Sequence, residues 1–171
     1  MNVTIETERL IIRPVVPEDA EAVFIWVSDP EVTKYMLYST YTDVESTREW
    51  LAGRDLEDED SYDLGFVCKE TGELIGMGGL VYEPDEDLWT IGYNLRKDYW
   101  GRGLVPEAMR GIIAEIQKKR KIREIRGEFA VENAKSGRVM EKLGMHFLKE
   151  SEFTKFDGSA TFPSNIYVKE M

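Results

Sequence analysis

The sequence predicts one domain of mixed α/β structure, with a central, mostly antiparallel sheet of about seven strands and helices on both faces. Its 171 residues suit a single domain spanning positions 1–171. Residues 88–95 alternate between apolar and polar side chains, as a half-buried strand does. Residues 105–119 instead carry apolar side chains at the spacing of one helical face. Turns join some predicted strands and helices join others, so the sheet should contain both antiparallel and parallel pairs.

The first half of the chain predicts two helices between three strands. Residues 8–15 form the first strand, and a helix opens at Pro17 with apolar residues at the i, i+3, i+4, i+7 spacing through Val27. A second helix begins at Thr42, because Thr42-Asp43-Val44-Glu45 has the form of a capping box. The next two strands, Leu64–Lys69 and Leu74–Tyr82, flank a turn-like segment and predict a hairpin.

The second half alternates strands and helices before it ends in two strands. The predicted elements are the strand Leu88–Leu95, the helix Val105–Lys119, the strand Ile122–Val131, the helix Asn133–Leu143, and strands near Met145–Glu150 and Asn165–Lys169. Gly144 is placed to end the last helix. The order of elements is therefore β-α-α-β-β-β-α-β-α-β-β.

Charge and composition argue against several classes of protein. The net charge is −11, which disfavours nucleic-acid binding, since phosphates need clustered Lys and Arg. The single cysteine, Cys68, excludes an internal disulfide and suits a cytoplasmic protein. Residues 1–6 do not resemble a signal peptide, and no apolar run approaches the roughly 18 residues of a membrane span. No Cys/His cluster has the spacing of metal ligands, so we expect no metal.

The strongest chemical signal is a glycine-containing loop, Tyr99-Trp100-Gly101-Arg102-Gly103-Leu104-Val105-Pro106-Glu107, between a predicted strand and a predicted helix. Closely spaced glycines at a helix N-terminus can turn backbone N–H groups toward a phosphate. Pro106 suits the first helical position, and Arg102 can add a charged contact. The loop matches neither the Rossmann G-x-G-x-x-G pattern nor Walker A. A plain strand-to-helix turn is the alternative interpretation.

Several further segments, taken with this loop, resemble one family in their order and spacing. They are Thr7-Glu8-Arg9-Leu10-Ile11-Ile12-Arg13-Pro14, Ser28-Asp29-Pro30-Glu31-Val32, Glu70-Thr71-Gly72-Glu73-Leu74-Ile75-Gly76, Ile91-Gly92-Tyr93, Glu132-Asn133-Ala134-Lys135-Ser136 and Glu141-Lys142-Leu143-Gly144. With these segments the chain resembles the GNAT superfamily of acyl-CoA N-acyltransferases. Within it, the chain is similar to the ribosomal-protein N-acetyltransferases (RimJ/RimL-like). The resemblance extends over nearly the whole chain.

The resemblance implies a sheet splayed between the fourth and fifth strands, with acetyl-CoA as co-substrate in the gap. It also implies that the pyrophosphate of acetyl-CoA binds the loop and that the pantetheine pairs with the strand ending at Leu95. The implied cofactor-binding residues are Leu95, Trp100, Gly101, Arg102, Gly103, Leu104, Val105, Asn133, Ser136 and Lys142. Asn133 also suits a helix N-cap.

Two residues are the candidate catalytic groups. Glu128 is the candidate general base, and Ser136 the candidate group that stabilises the leaving thiolate. Glu83 and Tyr93 are alternatives for the base. Met140 stands where many family members carry a tyrosine general acid, and methionine cannot donate a proton.

Other departures from the family pattern also affect the expected chemistry. Thr90 replaces a frequent glutamate, and Trp100 and Val105 replace the usual residues of the loop.

The leading hypothesis is an N-acetyltransferase that moves an acetyl group from acetyl-CoA to a primary amine by direct attack in a ternary complex. A degenerate acyl-CoA sensor and a nucleotide-binding regulatory module are the alternatives. The expected partner is a small-molecule or peptide amine, and no nucleic acid or membrane is expected. The segment Tyr35-Met36-Leu37-Tyr38 is the candidate wall of the acceptor pocket. The protein is expected to be a monomer or a homodimer.

Overall fold

A computed structural model describes residues 3–171, which build one eight-stranded sheet and five α-helices. Met1 and Asn2, which begin the segment assessed for a signal peptide, lie outside the described residues. The strands are β1 (Ile5–Glu6), β2 (Leu10–Arg13), β3 (Ser61–Cys68), β4 (Leu74–Glu83), β5 (Leu88–Leu95), β6 (Glu124–Ala130), β7 (His146–Thr154) and β8 (Thr161–Glu170). The helices are α1 (Ala20–Val27), α2 (Pro30–Thr33), α3 (Val44–Ala52), α4 (Leu104–Gln117) and α5 (Ala134–Lys142). Short 3₁₀ turns cover Pro17–Asp19 and Lys97–Tyr99.

The sheet has the order β1-β2-β3-β4-β5-β6-β8-β7. Every neighbouring pair is antiparallel except β5 and β6, which are parallel. The mixed, mostly antiparallel α/β fold is therefore confirmed, and all seven predicted strands are present. The additional strand, β1, has only two residues, too few to show an alternating pattern.

Several local predictions were wrong by small amounts. Helix α2 was not foreseen, because four residues are too short for helical periodicity; it is capped by Asp29, whose Oδ1 accepts a hydrogen bond from the N–H of Glu31. Helix α3 is capped one residue later than predicted, by Asp43, whose carboxylate accepts from the N–H and hydroxyl of Ser46. The last two strands are longer than predicted, since they form an edge hairpin with much polar, exposed sequence.

The sheet opens between β5 and β6, the fourth and fifth of the predicted strands. These strands pair only at Trp89 with Ile125 and at Thr90 with Arg126. Each stays fully paired to its antiparallel neighbour, β5 to β4 as far as Leu95 and β6 to β8 as far as Ala130. The two halves of the sheet therefore separate beyond Thr90, and the predicted splay is confirmed.

Helices cover both faces of the sheet. The apolar stripe of α4 is buried against one face, in one cluster with residues of strands β2 to β6. On the other face α1 and α3 bury Trp26 and Leu51 against Leu74 and Met77 of β4. Trp26 is fully buried, as expected for a core aromatic residue. No helix within residues 3–171 is both long and apolar enough to span a membrane.

Candidate active site

A cleft of about 1240 Å³ begins where β5 and β6 separate. Its walls come from the strands themselves, the loop before α4, helix α5 and the segment after α2. All eleven residues singled out from the sequence line it: Leu95, Trp100, Gly101, Arg102, Gly103, Leu104, Val105, Glu128, Asn133, Ser136 and Lys142. The cleft therefore brings the glycine loop and both candidate catalytic residues together, although their roles remain predictions.

Both glycines of the loop adopt the left-handed backbone conformation, with φ of 76° at Gly101 and 74° at Gly103. Gly103 is the N-cap of α4, so the free N–H groups of the first helical turn lie beside the two glycines. When backbone conformation alternates between left-handed and right-handed, successive N–H groups point into one concavity that can bind an anion. Pro106 occupies the third helical position, not the first as predicted. Its missing N–H is equally harmless at the third position, because the N–H groups of the first turn have no acceptor within the helix. The geometry supports the phosphate interpretation over a plain turn.

A hydrogen-bond network from the connection between β1 and β2 supports this loop. Glu107, in the first turn of α4, accepts from Thr7 Oγ1 at 2.7 Å, Arg9 N at 2.8 Å and Arg9 Nε at 2.7 Å. Arg9 Nη1 then donates to the carbonyl of Arg102 at 2.8 Å. That carbonyl is thereby held against Arg9. Sequence reasoning did not assign this function to Arg9, because 98 residues separate it from Glu107.

We expect Glu107→Gln to lower stability in a pH-dependent way. Burial alone would raise the pKa of Glu107, but hydrogen bonds from Thr7 and Arg9 bring it below its ordinary value. A carboxylate with a lowered folded-state pKa stabilises the fold above its unfolded-state pKa of about 4.3 and stops doing so as the pH falls through the folded value. Urea unfolding should show a loss of about 1–3 kcal/mol at pH 7, shrinking in acid.

The control for this prediction is Glu8→Gln, which makes the same change at an exposed neighbour. It should leave the unfolding free energy nearly unchanged at every pH. An equal loss for Glu107→Gln at pH 7 and pH 3 would contradict an electrostatic role for Glu107.

The side chain of Trp100 is hydrogen-bonded to the last residue of β5. Its Nε1 donates to the carbonyl of Leu95 at 2.8 Å, and Lys135 Nζ lies 4.2 Å from the centre of the ring. One acceptor site on Leu95 is thus already used by the protein. The pantetheine contact expected at Leu95 must use the carbonyl's other lone pair or another group of this strand.

Ser136 is paired with Tyr93. The hydroxyl of Tyr93 lies 2.9 Å from Ser136 Oγ and donates to the carbonyl of Ser136 at 2.9 Å. Burial raises the pKa of Tyr93 more than this hydrogen bonding lowers it, so the phenol stays protonated at neutral pH. Asn133 caps α5 in position, but its side chain makes no capping hydrogen bond. Its amide therefore remains available to a ligand in the cleft.

Met140 is an apolar core residue in this chain. It is 1% exposed and packs over Gly127 of β6, where an added Cβ would come within 2.6 Å of Met140 Cε. A proton donor is therefore missing at this position.

The opposite face of the opened sheet carries the acidic candidates. Glu128 accepts from Ser164 Oγ at 2.5 Å. Thr90 Oγ1 lies 3.3 Å from the carbonyl of Val81 and 3.4 Å from Glu83 Oε1. Thr90 cannot act as a base, but the carboxylate of Glu83 from the adjacent strand lies beside it. Glu83 and Glu128 both line the cleft.

Charges of both signs line the cleft. Arg102, Lys135, Arg138 and Lys142 lie on the loop and α5, and Glu83, Glu86 and Glu128 lie on β4, β6 and the connection from β4 to β5. Arg126 of β6 also lines the cleft and pairs with Glu86 at 2.6 Å, so this side is not uniformly acidic. Glu31 and Glu132 line the cleft as well, and Glu31 pairs with Lys97 just before the loop. The basic groups on the loop and α5 suit an anionic ligand. The acidic segment 83–87 thus contributes to the cleft, while residues 55–60 do not line it. No group of three metal-ligating side chains was found among residues 3–171.

Comparison with known proteins agrees with this architecture. Residues 9–146 match the model of the acetyltransferase (GNAT) domain. Over 168 residues the chain is 33% identical to the uncharacterized N-acetyltransferase p20 of Bacillus licheniformis, covering 96% of this chain and 93% of that protein. A GNAT-family acetyltransferase from Bacillus anthracis superimposes with a TM-score of 0.81 at 25% identity, covering 98% of both chains.

A solved structure of RimL, the ribosomal L7/L12 alpha-N-protein acetyltransferase in complex with coenzyme A, shares the fold. Its TM-score is 0.81 at 19% identity, and the match covers 99% of this chain and 98% of that one. This likeness shows that the two chains share one fold. From the family model and the 33%-identical relative together, the chain belongs to the GNAT acetyltransferase family.

Proposed function

We propose that residues 1–171 form one acyl-CoA N-acyltransferase domain that transfers the acetyl group of acetyl-CoA to a primary amine. The observation that carries this proposal is the opened sheet, whose cleft is lined by the glycine loop at the N-terminus of α4 and by carboxylates of β4 and β6. RimL, which has the same fold, was solved with coenzyme A. The buried, free Cys68 is compatible with the proposed cytoplasmic location.

The cleft has the parts that acetyl-CoA requires. The nest of Gly101–Gly103 and the N-terminus of α4 supply N–H donors for the pyrophosphate, with Arg102 and Lys142 nearby for charge. Beyond Thr90, β5 and β6 are not paired with each other within residues 3–171, so the pantetheine amides could bind backbone groups there. The long, narrow co-substrate would place its thioester near Ser136.

In the proposed reaction the neutral amine attacks the thioester carbonyl carbon, forming a C–N bond and a tetrahedral intermediate. Glu128 accepts the proton that the nitrogen loses, directly or through water, and the C–S bond then breaks. Ser136, whose hydroxyl lies 2.9 Å from that of Tyr93, turns its hydrogen from Tyr93 to the leaving thiolate and donates a hydrogen bond to it. An α-amine needs only roughly 1–1.4 kcal/mol for deprotonation at pH 7, so a modest base is sufficient for that acceptor.

The proposal is tested by acetyl-CoA-dependent release of free thiol over a panel of amines that includes N-terminal peptides, polyamines and amino acids. We expect turnover with at least one primary amine and one acetylated product per thiol released. Tight acetyl-CoA binding without turnover on any amine would instead favour the sensor, the alternative that the absence of a proton donor at Met140 keeps open. Protection against heat by ATP or NAD but not by acetyl-CoA would favour a nucleotide-binding module.

A further inference from the structure

Lys155 lies just beyond β7 and turns its ammonium group into the segment that follows α2. Its Nζ donates to three backbone carbonyls, those of Thr33 at 2.9 Å, Met36 at 2.8 Å and Tyr38 at 3.1 Å. An ammonium has three hydrogens, so all its donors are used on this one segment. Hydrogen bonds from a charged donor are stronger than neutral ones. This one side chain therefore connects the β7–β8 hairpin to residues 33–38, here called the acceptor wall.

Two further contacts strengthen the same connection. The N–H of Phe156 donates to the carbonyl of Leu37 at 2.8 Å, and the hydroxyl of Ser39 donates to the carboxylate of Asp157. An aromatic contact extends this connection, because the ring of Tyr35 packs on that of Phe162 with the two centroids 5.4 Å apart. The turn of the hairpin and the acceptor wall thus form one unit.

The acceptor wall borders the cleft beside Glu132. Tyr35, Met36 and Leu37 line the cleft, and the hydroxyl of Tyr35 donates to Glu132 at 3.0 Å. Residues 34–43 form no regular helix or strand, so no repeating backbone pattern determines their shape. The carbonyls at the end of α2 and just after it depend on Lys155 for charged partners. The position of the wall therefore depends on a residue more than 100 positions away in sequence.

We propose that Lys155 is a positioning residue for the amine acceptor: by holding three carbonyls of residues 33–38 it sets the shape of the acceptor end of the cleft and thereby the affinity for the amine. The inference rests on the proposed acetyl transfer. Lys155 itself does not line the cleft. Its effect should therefore appear in recognition of the acceptor, while binding of acetyl-CoA at the loop stays as it is.

Steady-state kinetics of Lys155→Met, with both substrates varied, tests the inference. Methionine keeps much of the length but has no donors, so we expect KM for the amine to rise by roughly tenfold or more. The value of kcat should change by less than about twofold, and so should the Kd of acetyl-CoA measured by calorimetry. Lys149→Met, at an exposed lysine of β7, is the matched control and should leave all three constants unchanged.

The possible outcomes distinguish this inference from the proposed acetyl transfer on which it rests. If the unaltered protein acetylates an amine and Lys155→Met keeps the same KM for it, the inference is wrong and the acetyltransferase proposal stands. A fall in kcat of about tenfold with an unchanged KM for the amine also overturns the inference. If the unaltered protein acetylates no amine, the proposed function fails and the inference fails with it. Should Lys155→Met not fold, Lys155→Arg decides: a raised KM with unchanged acetyl-CoA affinity supports positioning, and an unchanged KM refutes it.

Discussion

Gly103→Val should weaken the binding of acetyl-CoA by at least about tenfold, the factor that corresponds to 1.4 kcal/mol. Gly103 has a φ of 74°, a conformation that costs an L residue roughly 1–2 kcal/mol and is an outlier for a β-branched one. The variant relieves that strain by rotating the backbone, which turns loop N–H groups away from the pyrophosphate. Each charge-assisted hydrogen bond lost is worth about 1.5–3 kcal/mol. Calorimetric titration with acetyl-CoA measures the effect.

The chain offers a matched control for this experiment at Gly72, in the turn between β3 and β4. Its φ is 72°, and an added Cβ there would meet nothing within 4 Å. Gly72→Val therefore brings similar backbone strain at a residue that does not line the cleft. We expect a similar loss of stability from both variants and a loss of affinity only from Gly103→Val. Equal acetyl-CoA affinity in the two variants would refute the assignment of the loop to the phosphates.

Glu128→Gln should lower kcat by about 10²-fold at neutral pH, within the range by which positioned general bases accelerate reactions. Glutamine keeps the size of the side chain and a partner for Ser164 Oγ, so the local structure should persist. The lost rate should return as the pH rises, because the acceptor then deprotonates in solution; the α-amine has a reference pKa of about 7.7–8.0. A pH–rate profile from pH 6 to 10 measures both effects.

Two further variants show which carboxylate is responsible for a change in that profile. Glu150→Gln makes the same change of charge at an exposed site on β7 and should not alter the rate. Glu83→Gln tests the other carboxylate on this face of the sheet, which lies beside Thr90. If Glu83→Gln shows the pH-dependent loss and Glu128→Gln does not, the base is Glu83. If neither profile changes, neither carboxylate is the base.

Local patterns in the sequence were enough to predict most of the fold. Alternation identified β5 and β6, and helical spacing identified α4, because burial against one face repeats with the period of the element itself. The glycine loop was also visible in the sequence, since closely spaced glycines before a helix can turn backbone N–H groups toward an anion. The two elements that were missed entirely, β1 and α2, are short, and burial leaves no periodic pattern in so few residues.

By itself, then, the sequence determined the mixed sheet, its splay through the family resemblance, and the residues of the loop. Only the tertiary structure decided which side chains meet across the cleft. Tyr93 reaches Ser136 across 43 residues, and Arg9 reaches Glu107 across 98. The physical reason is that a turn or helix depends on neighbours a few residues away, whereas these contacts depend on how separate elements pack. The acidic character first seen as a net charge is likewise a property of the site only because folding brings Glu83, Glu128 and Glu132 into the lining of one cleft.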